Sequence, residues 1–312
     1  MPSNRSDRLA RLMRAATENG TAVPAFNVPY LPLVRPICEA LERHGAFGLA
    51  EVARLELYKF EAGSLAAVAE EYDRWANRRN DALHLDHVPV IDEDNLTVDY
   101  TALIAEGIAL GYDSVMVDGS RLSFEGNIDA AARVVAMAHP EGVLVEAELG
   151  AVLGHESGPM PPYDELFATK RGFTEPDQAR SYVEQSGVDW LSVSVGSVHG
   201  AIAPSTKGQT KVTARLDVER VSELRAATGV PLVLHGGSGI AVEYLRAAIG
   251  AGMAKVNVAT DIRQPYERAL AAGGSVADGQ AAAAHALDRL LTDVLQLDGS
   301  LAMLQSLIGE RS

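Results

Sequence analysis

Three histidines stand just past short apolar runs of the chain: His87 after Ala82–Asp86, His199 after Trp190–Val195 and His235 after Pro231–Leu234. Three imidazoles with one open coordination position form a standard catalytic zinc set. A lone histidine is more often a hydrogen-bonded core or surface residue, but three at equivalent run ends favour a metal. Asp86 directly precedes His87. In a continuing strand the two would face opposite ways. They share one site only if the strand ends there, and Val88-Pro89 supports such an ending. A carboxylate beside a metal stays ionised and can exchange a proton with a substrate hydroxyl. The alternative is a structural aspartate that orients a loop. His84, on the same strand face as Asp86, reads as a supporting or packing residue.

Glycines flank two of these histidines, in His199-Gly200 and in His235-Gly236-Gly237-Ser238-Gly239. Backbone N–H groups there are not covered by side chains, and such nests bind phosphate, above all before a helix N-terminus. The segment after Ile240 supplies a helix start, and Asn257–Thr260 would form the second wall of the pocket. A plain tight turn is the alternative.

These groups need a scaffold that brings run ends together. Eight short apolar runs occur: Thr21–Asn27, Ala46–Val52, Ala82–Asp86, Ser114–Val117, Val143–Ala147, Trp190–Val195, Pro231–Leu234 and Lys255–Val258. Most are apolar on both faces, as buried parallel strands are. Helical patterns separate them, over Leu33–His44, Leu65–Arg78, Tyr100–Leu110, Ile128–Ala138, Pro176–Ser186, Val218–Thr228 and Val242–Ala251. Most run into a glycine before the next strand. Eight such units most economically close into a (β/α)8 barrel of the α/β class, and an open doubly wound sheet is the runner-up. The chain of 312 residues is expected to form one domain, with the barrel over about 21–265 and extra C-terminal helices over about 266–312. Leu9, Leu12, Met13 and Ala16 predict an amphipathic N-terminal helix. Two loops, Val88–Asp99 and Ala151–Glu175, are long for such a fold and would lie at the C-terminal mouth, where barrel active sites sit.

Composition narrows the partners. Lys+Arg is 27 and Asp+Glu 42, a net charge of −15, which argues against nucleic acid or an anionic membrane as partner but not against a small anion in a local pocket. A single cysteine, Cys38, excludes an intramolecular disulfide and fits a reducing compartment. The first twenty residues are interrupted by charge and do not read as a secretory signal, and no run approaches a membrane span. The expected location is the cytoplasm.

Seven segments together resemble the class II, zinc-dependent fructose-bisphosphate/tagatose-bisphosphate aldolase family: Ala25–Val28, His84–His87, Ser114–Ser120, Val145–Gly150, Val195–Gly200, Leu232–Gly239 and Lys255–Asp261. They keep the family's order across about residues 21–265. The resemblance implies that His87, His199 and His235 hold one catalytic Zn2+ per subunit. It implies that Asp86 handles the proton of the hydroxyl that becomes the aldehyde, and that Glu156, on a mobile loop, moves the proton at the nucleophilic carbon. Asp118 and Glu148 match carboxylates of an alternative metal position. Asn27, Gly200, Gly236, Gly237, Ser238, Asn257, Val258, Ala259 and Thr260 match the pocket for dihydroxyacetone phosphate, where some members also bind a monovalent cation. The implied partner is a sugar phosphate, and the implied assembly a homodimer or homotetramer. No Schiff-base lysine is needed, and Lys255 opens its run rather than closing it.

The sequence departs from the family on one side. Glu51 and Ala53 stand where members commonly have Gln and then Ser. The segment after His87 is acidic and long, Ser157 replaces the usual acidic residue after Glu156, and Ala203–Thr210 is an extension. The phosphate end reads as kept and the aldehyde end as altered, so the expected substrate is other than, or broader than, fructose 1,6-bisphosphate. Arg54, Lys59, Arg121 and Lys207 are cations that could recognise the second end, although each also reads as a solvated surface charge. The rival readings are another zinc lyase or hydrolase on the same barrel, and a non-catalytic sugar-phosphate-binding protein.

Overall fold

A computed structural model describes residues 4–150, 163–197 and 214–310. Eight parallel strands close in sequence order: β1 (Val23–Asn27), β2 (Gly48–Ala53), β3 (Asp81–Pro89), β4 (Ser114–Asp118), β5 (Leu144–Leu149), β6 (Trp190–Val193), β7 (Leu232–Leu234) and β8 (Met253–Val258), with β8 pairing back onto β1. That closure is the expected (β/α)8 barrel and removes the open sheet. Helices α1 (Asn4–Asn19), α2 (Val34–Arg43), α3 (Arg54–Lys59), α4 (Leu65–Trp75), α5 (Tyr100–Ala109) and α6 (Phe124–Ala138) accompany the first half. The second half carries α7 (Tyr163–Thr169), α8 (Pro176–Ser186), α9 (Val218–Thr228) and α10 (Val242–Ala251). The tail is helical, as expected, with α11 (Thr260–Ala271), α12 (Val276–Arg289) and α13 (Ser300–Leu307). A π-helical turn, Leu290–Val294, follows α12.

The barrel interior changes character along its axis because strand side chains alternate with a period of two. At the N-terminal end Val23, Leu49, Ala82, Leu144, Trp190 and Val233 cluster with Leu9, Leu12, Met13 and Ala16 of α1 and with Leu301 and Leu304 of α13. The amphipathic stripe of α1 therefore closes the floor of the barrel. Each of these leucines, taken fully out of water, contributes about 1.5–3 kcal/mol. Two residues further along the strands the interior turns polar, at Glu51, His84, Glu146 and Lys255, all fully buried. Two residues further again stand Asp86, Glu148 and Asn257, near the mouth. Two short helices went unforeseen, α3 and α7, the latter inside the stretch Ala151–Glu175 that was expected as a loop. α3 spans only six residues, too few for a 3.6-residue pattern to show.

Candidate active site

β3 does not end at His87. It continues to Pro89, with a register shift against β4 between Leu85 and Val88. His87 takes a φ of +34°, a conformation strained for any residue with a Cβ. The expectation that Asp86 and His87 need a strand end to share a site is thus corrected. A bulge supplies the turn, and bulges re-aim side chains beside active sites. The His87 and His235 rings meet edge to face, centroids 4.3 Å apart. Asp86, His87 and His235 offer ligand atoms within 4.8 Å of one another, and so do His87, Asp118 and Glu148.

Around these rings the polar groups are ordered. His87 Nδ1 lies 3.5 Å from Asp118 and 3.8 Å from Glu148. His235 Nε2 bonds Glu146 at 2.8 Å, so its Nδ1 is the nitrogen left to face the site, 3.4 Å from Glu148. His235 Nδ1 and Glu148 Oε2 are both buried without a hydrogen bond. Two imidazoles that meet beside buried carboxylates, with His235 Nδ1 and Glu148 Oε2 left unbonded, make the donor set of a divalent cation, so the residues fit a metal. Burial opposes charging the two rings, yet nearby carboxylates prevail. Asp86 and Asp118 raise His87 to about 9, and Glu146 with Glu148 raises His235 to about 10.

Asp86 is gripped by two amides. Asn257 Nδ2 donates to Oδ1 at 3.1 Å, and Asn27 Nδ2 lies 3.3 Å from Oδ2. Burial would raise this carboxyl, but the adjacent His87, His235 and Lys255 hold it down at about 2. It is ionised at neutral pH, as a proton acceptor must be. Asp118 accepts from the Ser120 N–H at 2.9 Å and is held well below the usual carboxylate range despite its burial, chiefly by His87. Glu148 is raised, by burial and by Asp118.

Below the site runs a buried chain of groups, of which the sequence reading gave a supporting role only to His84. Lys255 Nζ donates to Glu146 at 2.8 Å and lies 3.2 Å from Glu51. Burial disfavours its charge, but Glu146 and Glu51 hold it as an ammonium. A lysine so held is a poor Schiff-base nucleophile, in keeping with the expectation that none is needed. His84 bonds Ser114 through Nδ1 at 2.8 Å, lies 3.5 Å from Glu146 and stays neutral, lowered to about 3 chiefly by burial. It supports the site from below, as expected. Glu56 of α3 is a further buried carboxyl. Its Oε2 accepts from the Ala53 N–H at 2.8 Å and lies 3.4 Å from the Asn27 amide. Burial raises Glu56 to about 8. Charged residues inside otherwise apolar strands were the available signal for Glu51, Glu146 and Lys255.

Facing this acidic side is an uncharged cradle. Gly236 and Gly239 adopt positive φ values of +71° and +90°. Gly237 N donates to the Asn257 carbonyl at 3.3 Å, and a Cβ at Gly237 would meet Val256 Cγ1 at 2.9 Å. Ser238 Oγ and Ser197 Oγ are buried without hydrogen-bond partners. Val258 and Ala259 lead directly into Thr260, the first residue of α11, whose N-terminus opens beside the cradle. His199, Gly200, Glu156 and Lys207 lie outside the described residues. Arg54, Lys59 and Arg121 are all engaged within the chain, by Asp92, by Glu93 with Asp94, and by the Asp92 carbonyl with Asn95.

Comparison with known proteins identifies the family. Residues 7–296 match the family described as fructose-bisphosphate aldolase class-II. A protein of Bacillus subtilis (strain 168), named a probable fructose-bisphosphate aldolase, is 33% identical over 258 residues, 81% of each chain. Among solved structures, the YdjI aldolase of Escherichia coli K12 superposes with a TM-score of 0.73 at 24% identity, over 94% of this chain and 98% of that one. Fructose-bisphosphate aldolase of Campylobacter jejuni gives 0.72 at 19%, over 94% and 96%. Those two likenesses speak for the barrel, while the sequence match is broad enough to decide kinship: the chain belongs to the class II fructose-bisphosphate aldolase family and is an aldolase, a carbon–carbon lyase.

Proposed function

We propose that this aldolase cleaves a ketose phosphate reversibly to dihydroxyacetone phosphate and an aldehyde, with one Zn2+ per subunit held by His87, His235 and His199. The observation that carries the reading is the meeting of His87 and His235 beside an aspartate kept ionised, with a glycine cradle at hand. When bound, the ion supplies Lewis-acid stabilisation for the negative charge that develops on the ketone oxygen. Asp118 and Glu148 offer it an alternative position. Glu146 fixes the tautomer and orientation of His235, and Lys255 keeps Glu146 charged.

Asp86 accepts the proton of the hydroxyl at C4 as the C3–C4 bond breaks, and the bonding pair stays with C3. Protonated Glu156 gives a proton to C3, and Asp86 then loses its proton to solvent while Glu156 regains one, so the cycle conserves charge and protons. Asn27 and Asn257 hold both Asp86 oxygens, which aims one lone pair and leaves the group a modest base. The phosphate of the three-carbon half is met by N–H groups and hydroxyls of Gly200, Gly236, Gly237, Ser238, Asn257, Val258, Ala259 and Thr260, with a monovalent cation beside it. A homodimer or homotetramer in the cytoplasm, with no nucleic-acid partner, completes the reading. The helical tail and a net charge of −15 support it.

Incubation with a panel of ketose phosphates tests the proposal. Release of dihydroxyacetone phosphate, abolished by chelator and restored by Zn2+, is the expected result. A metal-loaded enzyme that releases none from any of them would overturn it.

A further inference from the structure

The long loop after β3 is a small hairpin fastened to the rim of the mouth at the end of β4. Ile91 and Thr97 form an antiparallel bridge, Asp92 N donates to Leu96 O at 2.9 Å, and Val98 N donates to Val90 O at 3.0 Å. Val90 N bonds the Asp118 carbonyl at 2.9 Å, which ties the hairpin to the end of β4. Asp92 is buried at its turn, where Oδ1 accepts from Asp94 N at 3.0 Å and Leu96 N at 2.9 Å.

Among the described residues, the hairpin engages Arg54, Lys59 and Arg121. Arg54 follows Ala53, the last residue of β2 and the register partner of Asp86. Its guanidinium lies 3.4 Å from Asp92 Oδ2 and over the Tyr58 ring. Lys59 Nζ lies 2.6 Å from Glu93 and 3.5 Å from Asp94. Arg121, three residues past Asp118, donates to the Asp92 carbonyl at 2.6 Å and to Asn95 Oδ1 at 3.0 Å. A dianionic phosphate arriving there would meet Asp92, Glu93 and Asp94 already in place on Arg54 and Lys59. It would have to displace them, and like charges placed side by side cost affinity.

We infer that hairpin 90–98 selects aldehydes without a phosphate, so that the substrates are ketose 1-phosphates with an uncharged polyol end rather than 1,6-bisphosphates. Asp92, Glu93 and Asp94 are the specificity-determining residues. The inference rests on the reading of the site as an aldolase that uses dihydroxyacetone phosphate.

Condensation by the metal-loaded full chain tests it, with dihydroxyacetone phosphate and paired aldehydes: glyceraldehyde against glyceraldehyde 3-phosphate, and erythrose against erythrose 4-phosphate. The expected kcat/KM favours the uncharged member of each pair by tenfold or more. Equal use, preference for the phosphorylated members, or use of neither would overturn the inference. Solvent exchange of a hydroxymethyl proton of dihydroxyacetone phosphate, followed in parallel, separates the two levels. Its absence overturns the underlying reading, whereas exchange with the wrong aldehyde preference overturns only the role of the hairpin. Glu93→Gln with Asp94→Asn frees Lys59 without touching the turn held by Asp92. It should raise the phosphorylated-to-uncharged ratio at least tenfold, mainly through KM. Asp92→Asn should move the ratio the same way by freeing Arg54. An unchanged ratio in the Glu93/Asp94 double variant would contradict the assignment.

Discussion

The two sides of the barrel mouth handle their polar groups in opposite ways. On the β7–β8 side the cradle is uncharged: Gly236, Gly237 and Gly239 expose backbone, and Ser238 Oγ stays without a partner. On the β2–β4 side the cations and carboxylates satisfy one another, Arg54 with Asp92 and Lys59 with Glu93. A wall with buried hydroxyls that lack partners, such as Ser238 and Ser197, has free energy to gain from a ligand. A wall closed on itself gains little and repels a like charge. The difference teaches that binding capacity follows from the groups a surface leaves unsatisfied, not from how many charges it carries.

Asp86 lies on the border, held from β1 by Asn27 and from β8 by Asn257. Asp86→Asn should lower kcat roughly 10²–10⁴-fold, as loss of general acid–base catalysis does, with metal content unchanged. A loss below tenfold would break the account of the border. Glu146 lies beneath it and bonds His235 Nε2 at 2.8 Å. Glu146→Gln should weaken metal affinity by about 10–100-fold, measured by competition with a chelator, and should leave the aldehyde preference as it was.

Gly237→Ala sharpens the contrast between the walls. Its Cβ would press on Val256 and on the Asn257 carbonyl, 3.0 Å away, and so part the cradle from β8. The KM for dihydroxyacetone phosphate should rise about tenfold, the order of a lost hydrogen bond or two, while the ratio between aldehydes stays fixed. A changed ratio would show that the walls are not separable.

The smallest effect is thermal. Glu56, on the β2–β4 side, is raised by burial to about 8. Between its unfolded value and 8 the folded chain binds the extra proton, so this group's stability contribution is present at low pH and is lost as pH rises through 8. The Tm should therefore fall between pH 6 and pH 9 by about 2 °C or more beyond the fall in Glu56→Gln. Parallel curves would mean that Glu56 is not held neutral.

Much of this molecule is legible in its sequence because buried strands and amphipathic helices carry their own periods. The stripe Leu9, Leu12, Met13 and Ala16 announces the floor of the barrel. The step of two from Glu146 to Glu148 places both carboxylates on one face. The bulge at His87 is not legible, since nothing local favours a φ of +34° in a histidine. Pairing of β3 with β4 imposes it. Nor does the sequence show that Lys255 lies between Glu146 and Glu51, strands apart in the chain but neighbours across the barrel. The cations Arg54, Lys59 and Arg121 read as available to a ligand until the hairpin that occupies them is seen.

The central claim, one functional divalent ion held by converging imidazoles, is tested most directly by titrating the metal-free protein with Zn2+ in weak buffer at pH 7. Turnover and released protons are followed together. His87 and His235, raised to about 9 and about 10 without metal, are both protonated at that pH and must each give up a proton to bind the ion. Turnover should rise linearly to one equivalent per chain, with about two protons released per ion. Full turnover before any metal is added, or binding that releases no proton, would contradict the account.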